Sequence, residues 1–151
     1  MAIRLKTTVK LRATAECPSH SRADIAIRDL SFAIDEPGAR GGTNAGPTPT
    51  DTAIAALVGC VNVIGHKCAK NPGVEIEHLS IDAECEFDRR GHSGGGDQHS
   101  VRSAVMVTVR AKGSADQEVL DRVGIETEKF CPLSKLFRQA GTKLKVNWQN
   151  A

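Results

Sequence analysis

The 151-residue chain carries a formal charge of +2, with 25% charged residues of both signs interspersed rather than gathered on one basic face, so no nucleic-acid partner is expected. Its length suits a single domain, residues 1–151, large enough to bury a core without staples. Four Phe, one Trp and no Tyr leave that core to Val, Ile, Leu and Ala.

The opening segment, MAIRLKTTVKLRATAE, alternates apolar and charged residues without a continuous apolar run, which predicts a strand and not a signal peptide. Residues 3–16 and 22–34 both show strand-like alternation, with the turn residues CPSHS between them, so an N-terminal hairpin is expected. The Gly- and Pro-rich stretch DEPGARGGTNAGPTP is loop. Thr48 then fits an N-cap, Pro49 the first helical position and Asp51 the third, where a carboxylate suits the helix dipole.

Residues 53–64 of this helix are apolar or small on nearly every side, which predicts burial all round and, in so small a chain, a second subunit to supply it. The run AIAALVGCVNVIG falls short of the roughly 20 residues of a membrane span, so a cytosolic protein that does not engage a membrane is expected. The helix closes at residues 67–71 and NPG ends it. Two alternating stretches, VEIEHLSIDAECEFD and HSVRSAVMVTVRAK, predict a second hairpin with a long tip at residues 89–98. Residues 116–129 form an amphipathic helix through Val119, Leu120 and Val123. CPLSKLFRQA restarts a helix with Cys131 near the cap and Pro132 first, and GTKLKVNWQ is a last strand. The order gives an α+β fold with no internal repeat.

Five cysteines, an odd number without a CxxC pair, do not suggest a disulfide framework. Cys60 lies deep in the apolar helix, where a thiol is ordinarily a small hydrophobe. Cys131 sits at a helix N-terminus, one of the settings that favour a thiolate. Cys17, Cys68 and Cys85 belong to no motif. His92, Asp97 and His99 flank the Gly-rich tip, but no second cluster accompanies them and GHSGGGDQH lacks the ending of a phosphate loop, so no metal and no bound cofactor are expected.

The ordered set DEP, GG, GPTPTD and AALVGC, followed by KFCPLSKLF and GTKLKV, resembles the OsmC/Ohr family of thiol-dependent peroxidases over nearly the whole chain. The resemblance implies an intertwined homodimer, with antiparallel sheets wrapped around two long central helices. It implies that Cys60 is the peroxidatic cysteine and Cys131 the resolving one. Cys60 would attack the O–O bond of an organic hydroperoxide or hydrogen peroxide, and its sulfenic acid would condense with Cys131 to a disulfide. An external dithiol of the lipoyl, glutathione or thioredoxin type would reduce it.

Because Cys60 lies beyond the first helical turn, the dipole does not reach it and a cation is needed. The resemblance offers Arg40, Arg22 or Arg28, with Arg40 preferred. Asp51 matches a position where relatives carry Glu and would support that arginine, although nine residues of helix, about 13.5 Å, separate it from Cys60. Other branches place their Glu one residue earlier, at Thr50 here, and an ordinary helix-start acid is an equally good account of Asp51. A rival within the same fold is a slow redox sensor or small-molecule binder. A cysteine hydrolase pairing Cys60 with His66 is disfavoured, since six residues of helix turn them about 120° apart.

Overall fold

The computed structural model describes residues 7–87 and 103–151. The chain divides into two compact units, Met1–Thr52 and Ala53–Ala151; the boundary falls inside the first helix.

In the first unit, β1 (Thr14–Glu16), β2 (Ala23–Ile27) and β3 (Leu30–Ile34) form an antiparallel sheet in chain order. The single long strand expected at 22–34 is two strands, joined at Arg28 and Asp29, with Arg28 at φ 58°. The phase of alternation slips there: Ile25 and Ile27 are two apart, then Leu30, Phe32 and Ile34 resume on the other parity. The first strand is also shorter than expected. Among the described residues, 7–13 are not assigned to a strand, and the pairing with β2 ends at Thr14–Ala26, just before the chain turns at Arg28.

In the second unit, β4 (Ile76–Phe87), β5 (Ser103–Gly113) and β6 (Lys143–Asn150) are adjacent in that order. β4 runs antiparallel to β5, but β6 runs parallel to it, Val105 opposite Leu144 and Val109 opposite Trp148. This departs from the wholly antiparallel sheets expected. The crossover between β5 and β6 is made by α2 (Gln117–Phe130) and α3 (Pro132–Gln139), the kind of helical connection that a parallel pair requires. Val105, Val107 and Val109 alternate onto one face of β5 and pack with Leu120 and Val123 of α2 and with Leu144 and Trp148 of β6. A fully buried Leu or Val contributes about 1.5–3 kcal/mol.

The first helix, α1 (Pro49–Lys70), contributes Leu57, Val61, Gly65, Cys68 and Ala69 to burial. This is a stripe at helical spacing, and Ala55, Ala56, Gly59 and Val63 remain exposed. The single chain buries one face of α1. At 22 residues, with an 18-residue stretch of mean hydropathy 1.4, α1 is long and apolar enough to cross a membrane by length and composition, more so than its apolar run suggested. The core helix of a folded domain passes the same test.

Trp148 fixes how closely α1 and α2 approach β6. A Cβ on Gly65 would stand 2.5 Å from its Cη2 and one on Gly124 2.7 Å from its Cδ1. The indole occupies the space that two side chains would otherwise take.

Candidate active site

Within the second unit, α1 carries Cys60 and the junction of α2 with α3 carries Cys131. Their sulfurs are 3.0 Å apart, within hydrogen-bond distance. Cys131 ends one helix and begins the next. Its N–H donates to the Thr127 carbonyl at 2.8 Å, closing α2, and its Sγ accepts from the Ser134 N–H at 3.4 Å, capping α3. Pro132 takes the first position of α3, where no N–H is needed. Cys131 is fully buried, whereas Cys60 is half-buried and keeps a face toward solvent.

The two thiols are pushed in opposite directions. Burial raises Cys60, Cys131 beside it raises it further, and the Leu133 N–H and Lys67 only partly offset them, so its pKa lies above the ordinary thiol value. Burial also opposes charge on Cys131. It is outweighed by the Ser134 hydroxyl, the Cys60 thiol and the N–H groups of Ser134 and Leu133, and the Cys131 pKa lies below the ordinary value. Ser134 is fully buried and its hydroxyl has no hydrogen-bond partner. Lys67 and Ser134 were missed by the sequence reading; the signal for Ser134 was its place at the third position of a helix that starts at Cys-Pro.

The first unit holds the three arginines and Asp51. Arg22 Nε pairs with Asp24 at 2.8 Å, and Arg28 occupies the β2–β3 turn. Arg40 ends a short 3-10 turn, Gly38–Arg40, and its Nε lies 3.1 Å from Glu36 Oε2. Both ion pairs are largely exposed, worth about 1 kcal/mol or less.

Asp51 and Thr48 cap α1 reciprocally. The Thr48 N–H and hydroxyl donate to Asp51 Oδ2 at 3.1 and 2.7 Å, and the Asp51 N–H donates to Thr48 Oγ1 at 3.2 Å. The Thr48 hydroxyl and N–H lower the Asp51 pKa, burial opposes them, and the charge of Arg40 lowers it further. Thr50 Oγ1 meets Thr48 Oγ1 at 3.0 Å.

One charged residue of this unit was not foreseen. Asp35 is fully buried; its Oδ2 accepts from the Thr43 N–H at 2.9 Å, the Thr43 hydroxyl at 2.6 Å and the Ala45 N–H at 3.1 Å, and its Oδ1 accepts from the Glu36 N–H at 2.8 Å. The Thr43 hydroxyl, against the cost of burial and with the three N–H groups, holds this carboxyl well below the usual range. Asp35 thereby ties both ends of the loop that carries Arg40.

The His66 Nδ1–H donates to the Asn62 carbonyl at 2.9 Å, and His66 lines a cavity of about 390 Å³ with Lys70, Glu75 and Ile76. Cys68 is in the core, Cys85 is a half-buried β4 thiol raised by burial, and Cys17 is exposed. His92, Asp97, His99 and the 89–98 tip lie outside the described residues.

Comparison with known proteins follows the same outline. The profile of the family described as OsmC-like protein matches residues 42–147. The fold is similar to that of an OsmC-like protein from Mycoplasma pneumoniae, at 14% identity and a TM-score of 0.76 over 95% of this chain and 96% of that one. An organic hydroperoxide resistance protein OsmC from Legionella pneumophila gives 16% identity and a TM-score of 0.74 over 95% and 99%. The organic hydroperoxide resistance protein OhrB of Bacillus subtilis gives 23% identity and a TM-score of 0.68 over 93% and 98%. No curated protein sequence matches the chain. These likenesses establish the α+β fold, and with a family profile spanning most of its length the chain belongs to the OsmC-like protein family.

Proposed function

We propose that the protein is a thiol peroxidase that reduces organic hydroperoxides or hydrogen peroxide. Membership of the family, with neighbours named for hydroperoxide resistance, supports a redox or peroxide-stress role. The observation that carries the finer reading is the pair of sulfurs at 3.0 Å, one reachable and one buried.

In this reading Cys60 attacks the distal peroxide oxygen and the O–O bond breaks. The alkoxide leaves with a proton and Cys60 becomes a sulfenic acid. The Cys131 thiolate then attacks the Cys60 sulfur, expelling hydroxide and closing a disulfide, and an external dithiol restores both thiols. Because the charge is favoured on Cys131, the buried sulfur is positioned to take the Cys60 proton as attack begins. Arg40 is the proposed activating cation and Asp51 its support. No bound cofactor is required. The exposed small-residue face of α1, with Ala55, Ala56, Gly59 and Val63, supports a homodimer closed on that face, in one cytoplasmic OsmC-like domain per chain.

The second reading, a slow redox sensor on the same pair, is favoured by the burial that raises Cys60. Peroxide consumption by the reduced protein, followed by mass spectrometry of the thiols, separates them. Rapid consumption with a Cys60–Cys131 disulfide supports the peroxidase. Stoichiometric oxidation over minutes to hours supports the sensor, and no such disulfide overturns both.

A further inference from the structure

The resolving role assigned to Cys131 says nothing about how the disulfide is opened again. A thiolate attacking a disulfide approaches one sulfur in line with the bond and expels the other, and the better leaving sulfur is the one whose anion is better held. The two sulfurs of this pair differ in both respects.

Approach is open to only one of them. Cys131 has no exposed surface, whereas Cys60 is half-buried. Anion stabilisation outweighs burial only at the other. The Ser134 N–H donates to Cys131 Sγ from 3.4 Å, and the Ser134 hydroxyl is fully buried without a hydrogen-bond partner. A buried hydroxyl left without a partner costs free energy, and negative charge on Cys131, which Ser134 favours, would supply the acceptor it lacks. On the Cys60 side the Leu133 N–H and Lys67, on the same helix as Cys60, act but do not overcome burial.

We propose that Ser134 sets the polarity of the disulfide: its N–H and hydroxyl receive the departing Cys131 thiolate, so the reducing dithiol attacks Cys60 and becomes joined to it. The inference rests on the Cys60–Cys131 pairing of the proposed function but not on peroxide as its oxidant. In the first step a thiolate of the dithiol bonds to Cys60 Sγ as the Cys60–Cys131 bond breaks, and the electron pair leaves on Cys131. In the second step the other thiolate of the same dithiol attacks its partner sulfur in the mixed disulfide. That closes the reductant's own disulfide and frees Cys60, which takes a proton from water. The dithiol loses two electrons and the protein gains two.

The test begins with the full chain oxidised by diamide, so that peroxide chemistry plays no part. A limiting monothiol, 2-mercaptoethanol, stops the reaction at the mixed disulfide, which acid quenching and peptide mass spectrometry locate. The expected result is an adduct on Cys60 in at least tenfold excess, with Cys131 free. An adduct chiefly on Cys131, or equal labelling, overturns the proposal, as does failure of diamide to form the disulfide.

Ser134→Ala supplies the second readout. The thiolate absorbance of Cys131, taken as the difference between Cys60→Ser and Cys60→Ser/Cys131→Ser backgrounds, is expected to titrate about one pH unit higher in Ser134→Ala, and reduction of its diamide-formed disulfide to slow about threefold. Ser134→Thr, which keeps the hydroxyl, is expected to restore both. An unchanged titration in a folded Ser134→Ala protein overturns the role given to the hydroxyl. A Cys60 adduct in a protein that does not consume peroxide leaves the polarity standing and removes the peroxidase; consumption of peroxide with a Cys131 adduct does the reverse.

Discussion

Cys131 Sγ lies 3.0 Å from Cys60 Sγ although 71 residues separate them in the chain, and roughly 1 Å of further approach makes a covalent bond. Cys60→Ser is therefore expected to lower peroxide consumption by about a hundredfold or more. Cys131→Ser is expected to keep one turnover and then accumulate sulfenic and overoxidised Cys60, visible as mass additions of one, two and three oxygens on the peptide that contains it.

The caps of α1 give a prediction on stability. Thr48→Ala removes the acceptor for the Asp51 N–H and the donor to its carboxylate, and is expected to cost about 1 kcal/mol in urea denaturation. Asp51→Ala should cost about half as much. If Asp51 also supports Arg40, peroxide consumption falls in Asp51→Ala and not in Thr48→Ala, and the comparison of the two variants separates cap from site.

Asp35 predicts a pH dependence. Its carboxyl is held below the usual range in the folded chain, so the folded state binds fewer protons than the unfolded one. The stabilisation is complete above the unfolded value of about 3.9 and is lost as pH falls from there toward the folded value. Acid is thus expected to expose residues 36–46 to limited proteolysis. Asp35→Asn turns an NH2 group toward at least one N–H donor whichever way the amide faces, and is expected to do the same at neutral pH with a fall in Tm of about 3–6 °C.

Trp148 is the only tryptophan, which makes its packing directly observable. Gly124→Ala places a methyl group 2.7 Å from Cδ1, and overpacking of this kind costs about 1–3 kcal/mol. A lower urea midpoint and an altered emission maximum are the expected outcome. Gly65→Ala, at 2.5 Å from Cη2, should behave alike.

Much of this architecture could be read in advance wherever a local rule decided it. The start of α1 followed from Thr48, Pro49 and Asp51, and the helix restart at Cys131 from the proline after it; both involve groups within one helical turn. The β2–β3 break was missed because Arg28 and Asp29 are not the usual turn pair, although the slip in alternation after Ile27 records it. The parallel placement of β6 depends on the path of α2 and α3 and leaves no mark on the strand itself. The apolar character of α1 was legible in its composition, which does not say how many of those positions one chain covers. Asp35 and Ser134 were passed over for a common reason. A loop aspartate and a helix-start serine are ordinary residues until folding removes their water.

Cys131 serves two trades at once. As a backbone post it ends α2 and starts α3, and for that purpose an oxygen in place of sulfur would do equally well, serine being among the preferred residues at a helix start. As a redox centre it admits no replacement. A lineage could therefore shed the chemistry at this corner by a single exchange and keep the scaffold intact, and the persistence of the fold in a relative carries no guarantee that its sulfur chemistry persists with it.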